Sequence, residues 1–186
     1  MHVTRYTKTA MLLHWVMAIG IIANVALAWL WPTFADENVR PAIDTHKSIG
    51  VTLLGLAILR LLWRFAHTPP AYPSSYKGWE RTASHVVHWG LYLILFAMPL
   101  TGWIMDSAYK NAAETPMYWF GTFEFPRIGF IMTMEPGLRD RVHDTFGAAH
   151  GLLQWLLYAL LLLHIAGALK HQMDGEKELQ RMVPGR

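Results

Sequence analysis

Uncharged apolar runs alternate with short charged segments along this chain. Residues 9–35, 82–105 and 145–169 contain no Asp, Glu, Lys or Arg. Each exceeds the roughly 20 residues a helix needs to cross a bilayer. A fourth run, about 44–64, is weaker, because only Ser48–Leu59 is uncharged, between Lys47 and Arg60. The pattern predicts an all-α integral membrane protein, one four-helix bundle over residues 1–186. Its helices fall at about 9–31, 44–64, 82–105 and 145–170, with an outer loop at 106–144. Pro69, Pro70 and Pro73 form a turn that cannot continue a helix.

Composition agrees. Charged residues are 16% of the chain, below the roughly 25% of soluble domains. Trp15, Trp29, Trp31, Trp63, Trp103, Tyr118 and Trp119 sit near span ends, where aromatic rings anchor at the interface. The first run is too long for a signal-peptide core and is followed by no A-x-A site, so it reads as a retained helix.

Charge orients the bundle. Arg5, Lys8, Arg60, Arg64, Lys77, Arg81, Lys170, Lys177, Arg181 and Arg186 share one side. Arg40, Lys47, Lys110, Arg127, Arg139 and Arg141 lie on the other. The positive-inside rule then predicts both termini in the cytoplasm. A net charge of +3 with basic residues at span ends argues for membrane lipid as the surrounding partner and against nucleic acid.

The chain has no cysteine, which excludes disulfides, iron–sulfur clusters and covalent c-type haem. Histidines remain. An ionisable side chain inside a span is a functional-site candidate, and a neutral imidazole ligates haem iron. His14 falls near the inner end of the first helix and His46 at the outer end of the second. His150 and His164, both on the fourth helix, are separated by about 21 Å at 1.5 Å per residue, nearly four turns and so one face. Two haems stacked across the membrane follow: His14 with His164 inside, His46 with His150 outside. His85 and His88 are alternatives at the inner site and His143 at the outer one, whereas His2 and His67 are read as solvated. Gly50, Gly55, Gly147 and Gly151 allow close approach of a macrocycle or of another helix.

His171 follows His164 by seven residues on the same face and is a candidate quinone contact, with Lys170, Arg5 and Thr9 as helpers. Arg60 and Arg64, one turn apart, are candidate partners for haem propionates, and snorkelling to lipid phosphates is the alternative.

Four sequence pieces carry a resemblance: "RYTKTAMLLHW", "HKSIGVTLLGLAILRLLWR", "GWIMDSA" with "WFGTFEFP", and "HGLLQWLLYALLLLHIAGALKHQMDGEKELQRMVPG". In order from residue 5 to 185, they resemble the bacterial cytochrome b561 family of di-haem membrane cytochromes. The resemblance implies two haem b, ligated at His14, His46, His150 and His164, in a multi-pass protein of the bacterial inner membrane. It also implies transmembrane electron transfer. One member type, superoxide oxidase, takes electrons from periplasmic superoxide and passes them to ubiquinone. Other relatives couple quinone or quinol to a dehydrogenase or a periplasmic redox protein. The 106–144 segment carries six Asp/Glu against four Lys/Arg, whereas a superoxide anion is gathered best by positive charge. Lys47, Arg139 and Arg141 form a local basic patch by this reading.

Overall fold

The computed structural model describes residues 5–183. His2 and Arg186, read above as solvated and as cytoplasmic charge, lie outside the described residues. Four helices are long and apolar enough to cross a membrane: α1 (Lys8–Leu30), α2 (Asp36–Ala66), α3 (Gly78–Ser107) and α5 (Pro136–Met173). A 3₁₀ turn, Trp31–Thr33, ends α1. A two-strand antiparallel hairpin, β1 (Tyr118–Trp119) and β2 (Phe123–Glu124), and a short α4 (Gly129–Met132) stand between α3 and α5. A short α6 (Glu178–Met182) follows. The all-α membrane bundle expected from the hydropathy pattern is what the chain forms.

Two helices start more than two turns earlier than predicted, and α3 about one turn earlier. The apolar pattern put the second span at 44 and the fourth at 145, but α2 begins at Asp36 and α5 at Pro136. The pattern measures the hydrocarbon layer, while helices continue into water when their ends are capped. Asp36 and Glu37 occupy the first turn of α2, where negative charge opposes the helix dipole. Glu135 caps α5 by accepting the Gly137 and Leu138 N–H groups at 3.0 Å each, with Pro136 at the first helical position. The predicted 106–144 loop therefore shrinks to residues 108–135.

Close backbone approach occurs between α1 and α2, α2 and α3, and above all α3 and α5. Met17, Leu53 and Ala57 form the packed centre, with Ile21, Leu95 and Phe96 against it. A Cβ on Gly20 would meet Leu53 at 3.1 Å, and one on Gly90 would meet Leu160 at 3.1 Å, so small residues set these helix spacings. Leu12, Ile19, Leu62, Leu93, Leu152 and Leu162 point outward and are exposed. This inside-out pattern suits a chain solvated by lipid.

The chain ends meet at one end of the bundle, termed the inner end, and the opposite end is termed the outer. The Tyr6 N–H donates to the Arg181 carbonyl at 3.2 Å, and the Trp15 indole donates to the Met182 carbonyl at 2.8 Å. At that end Lys170 pairs with Glu80 at 2.8 Å, and Tyr76 donates to Glu178 at 3.0 Å. Burial and the adjacent Glu178 carboxylate hold the Tyr76 phenol well above its ordinary pKa. At the opposite end Asp106, nearly buried, receives Lys47 at 2.6 Å and Arg127 at 2.8 Å. Ser107 accepts the Ile128 N–H at 3.0 Å. These contacts fasten residues 108–135 onto the helices as an outer cap.

Candidate haem sites

The helices form two close pairs, α1/α2 and α3/α5, joined along α2 and α3. Across the remaining gap, α1 and α5 meet through side chains, such as the Trp29 indole donating to the Tyr158 hydroxyl at 2.7 Å. Four histidines face one another here. The ring centres of His14 and His164 are 6.0 Å apart, and those of His46 and His150 are 6.4 Å apart. A metal held between two imidazole nitrogens at about 2 Å, plus about 1.1 Å from each nitrogen to its ring centre, separates the rings by roughly 6.3 Å. Both pairs fit that spacing.

At the outer pair, hydrogen bonds fix the tautomers. His46 Nδ1 lies 3.2 Å from the Asn24 carbonyl, which can only accept. His150 Nδ1 lies 3.1 Å from the Thr101 hydroxyl, whose own proton points to the Ala97 and Met98 carbonyls at 2.8 and 2.9 Å. Both Nδ1 atoms therefore carry the proton and donate, leaving Nε2 as a metal-binding lone pair. A cavity of about 440 Å³ adjoins, lined by His46, His150, Asn24, Gly50, Met98 and Leu157 among others. That is within the range of cofactor pockets. Gly102 lets α3 approach this site, since a Cβ there would stand 3.3 Å from His150 Cε1. Gly151 also lines the cavity, and a Cβ on it would meet nothing within 4 Å. The donor set, the spacing and the cavity fit a b-type haem.

The inner pair is more crowded. His88, a sequence alternative, comes within 5.4 Å of His164. Its Nδ1 is 3.4 Å from Ser84 Oγ, which contacts the Tyr72 hydroxyl at 3.0 Å. His85 instead meets the Tyr72 ring. Among the described residues, neither His14 nor His164 has a hydrogen-bonded ring nitrogen.

A smaller cavity of about 260 Å³ lies at the inner end, lined by Arg5, Tyr6, Arg60, Trp63, Arg64 and Tyr92 among others. Arg60 donates to the Ala10 carbonyl at 3.3 Å, and Arg64 stacks over Trp89 and Tyr92 at 5.6 and 5.5 Å. Neither guanidinium has a carboxylate partner among the described residues.

The other candidates are dispersed. His171 stacks on Tyr76 with ring centres 3.8 Å apart. Lys170 is held by Glu80 and Asp174. His143 Nδ1 is 2.9 Å from the Met105 carbonyl, and His67 is stacked on Trp63. Arg139 reaches the Met132 and Lys110 carbonyls, and Arg141 is exposed. Sequence reasoning missed Asn24 and Thr101. Asn24 acts through its backbone carbonyl, which any residue there would offer, so its side chain is no signal for this role. Thr101 carried none.

Paired imidazoles between membrane-spanning helices, with a cavity of cofactor size at one pair, fit a membrane cytochrome of b type. The chain matches prokaryotic cytochrome b561 over residues 5–185 and belongs to that family of haem-binding electron-transfer proteins of the bacterial inner membrane. It is 32% identical to cytochrome b561 homolog 2 of Escherichia coli K12 over 183 residues, 96% of this chain and 91% of that one. It is 27% identical to the probable superoxide oxidase CybB of Yersinia pestis, covering 97% and 96%. Identity to cytochrome b561 homolog 1 of E. coli K12 is 24%, covering 98% of both.

Proposed function

We propose that the protein carries electrons across the inner membrane from periplasmic superoxide to ubiquinone. Two haem b groups are held in this reading, by His14 and His164 near the inner face and by His46 and His150 near the outer face. The observation that carries it is the spacing of the two imidazole pairs, 6.0 and 6.4 Å. Both termini are cytoplasmic.

Haem b, when bound, supplies a reversible one-electron couple. The side chains do the rest. Held by His14 and His164, and by His46 and His150, the groups would exchange electrons rather than bind dioxygen. Asn24 and Thr101 orient the outer pair. Arg60 and Arg64 would neutralise propionates at the inner end, where no carboxylate of the described residues pairs with them. His171 would hydrogen-bond a quinone oxygen near the same face. Lys47, which lines the outer cavity, and Arg139 and Arg141 would draw an anionic donor. The reaction balances as two superoxide, one ubiquinone and two protons giving two dioxygen and one ubiquinol.

A second reading, an electron-transfer subunit between quinone or quinol and a dehydrogenase or periplasmic redox protein, is favoured by the acidic excess of the outer segment. Stopped-flow mixing with superoxide separates the two. Haem reduction faster than spontaneous dismutation is expected, and slower reduction removes the superoxide reading. A redox titration with a haem-to-protein ratio tests the wire itself. Two haems and two steps are expected; one haem would end the paired-site reading.

A further inference from the structure

Residues 115–123, TPMYWFGTF, contain no Asp, Glu, Lys or Arg and form the β1–β2 hairpin. At its tip Phe120 and Gly121 have φ of 45° and 70°, left-handed values typical of a tight hairpin turn. A phenylalanine adopts such a conformation only when its surroundings enforce it. Here α2 enforces it. The Phe120 N–H donates to Ser48 Oγ at 3.0 Å, and the Trp119 indole donates to Thr52 Oγ1 at 2.9 Å. The Thr122 N–H and hydroxyl both turn back to the Trp119 carbonyl, at 2.9 and 2.6 Å.

Ser48 and Thr52 lie inside the span read from 44 to 64, about 6 and 12 Å along the helix from its outer end. The hairpin is therefore attached below the edge of the apolar layer. Its outward side chains suit that depth: Tyr118, Phe120 and Phe123 are 45%, 47% and 54% exposed. α2 itself carries further exposed apolar side chains, Ile58, Leu59 and Leu62, deeper along its length. The Phe120 N–H and the Tyr118 carbonyl are bonded to Ser48, and the Thr122 N–H to the Trp119 carbonyl, which suits an apolar medium. The other side of the hairpin is closed, since Met117 is 3% exposed and lines the outer cavity.

We propose that the hairpin is inserted in the bilayer leaflet at the end opposite the chain termini. Tyr118, Phe120 and Phe123 pack against lipid chains, so this aromatic patch is a membrane contact and not a docking site for a soluble partner. The proposal rests on the four spans and is independent of the electron donor.

The absence of cysteine makes the test direct. Phe120→Cys and Phe123→Cys variants are nitroxide-labelled and reconstituted in phosphatidylethanolamine–phosphatidylglycerol vesicles. Their collision rates with oxygen and with a water-soluble nickel chelate are then measured. Leu152→Cys is the lipid reference and Glu114→Cys the aqueous one. Both hairpin labels are expected to favour oxygen several-fold over nickel, as Leu152 does. Nickel access equal to that at Glu114 overturns the proposal. So does poor access to both reagents, which means that a second copy covers the patch. Tyr118→Cys replaces either variant if its elution profile departs from wild type.

Discussion

Thr101 holds His150 from behind, its hydroxyl accepting the Nδ1 proton at 3.1 Å while donating its own to α3 carbonyls. The imidazole gains basicity and a fixed orientation from this bond. Thr101→Val keeps the shape and removes the acceptor. Loss of a ligand's outer hydrogen bond costs about tenfold or more in metal affinity. Weaker retention of one haem is expected on dilution in detergent. One step of the redox titration should move to higher potential while the other stays in place.

Gly102 gives a steric counterpart. A methyl there stands 3.3 Å from His150 Cε1, whereas one on Gly55 or Gly167 meets nothing within 4 Å. Gly102→Ala should displace the ring and reduce haem content toward one per chain, and Gly55→Ala should leave it unchanged. Pyridine haemochrome assay per mole of protein distinguishes them.

The outer cap depends on Asp106. Its side chain is 7% exposed and lies between Lys47 and Arg127, the latter 5% exposed. Asp106→Ala leaves a buried guanidinium without its carboxylate, a loss of about 3 kcal/mol for such pairs. A lower melting temperature is expected, with new protease cleavage between 108 and 135. Unchanged protection of that segment would contradict the assignment.

Glu135 makes the α5 start pH-sensitive. The Gly137 and Leu138 N–H groups lower its pKa. A carboxylate depressed in the folded state stabilises above its unfolded value, about 4.3, and loses that contribution as pH falls through the lower folded value. Acid should therefore fray the outer end of α5. Glu135→Gln should flatten this dependence below about pH 5, read by amide exchange quenched after incubation at each pH.

The spans were legible because a bilayer demands some 20 apolar residues in a row, a pattern few local effects can disguise. Their ends were not, because Asp36, by its charge in the first turn, and Glu135, by capping, carry the helices into water, which hydropathy does not register. The histidine pairs were expected from depth along the helices; the ring centres of His14 and His164 stand 6.0 Å apart and those of His46 and His150 6.4 Å. The Asn24 contact was not readable, because it is made by a backbone carbonyl that leaves no mark on residue type. Nor was that of Thr101, since its role depends on which face of α3 meets α5. The hairpin was hidden because its strands are two residues each, too short for alternation to show, and its order comes from Ser48 and Thr52 far away in sequence.

Both imidazole pairs draw one member from α5, which leaves the ribosome after α1, α2 and α3. At 5–20 residues per second, roughly 8–30 s separate the synthesis of His14 from that of His164. Neither pair can form before α5 has been made. In the proposed two-haem reading, the order of translation itself keeps a half-built chain from seizing iron porphyrin too early.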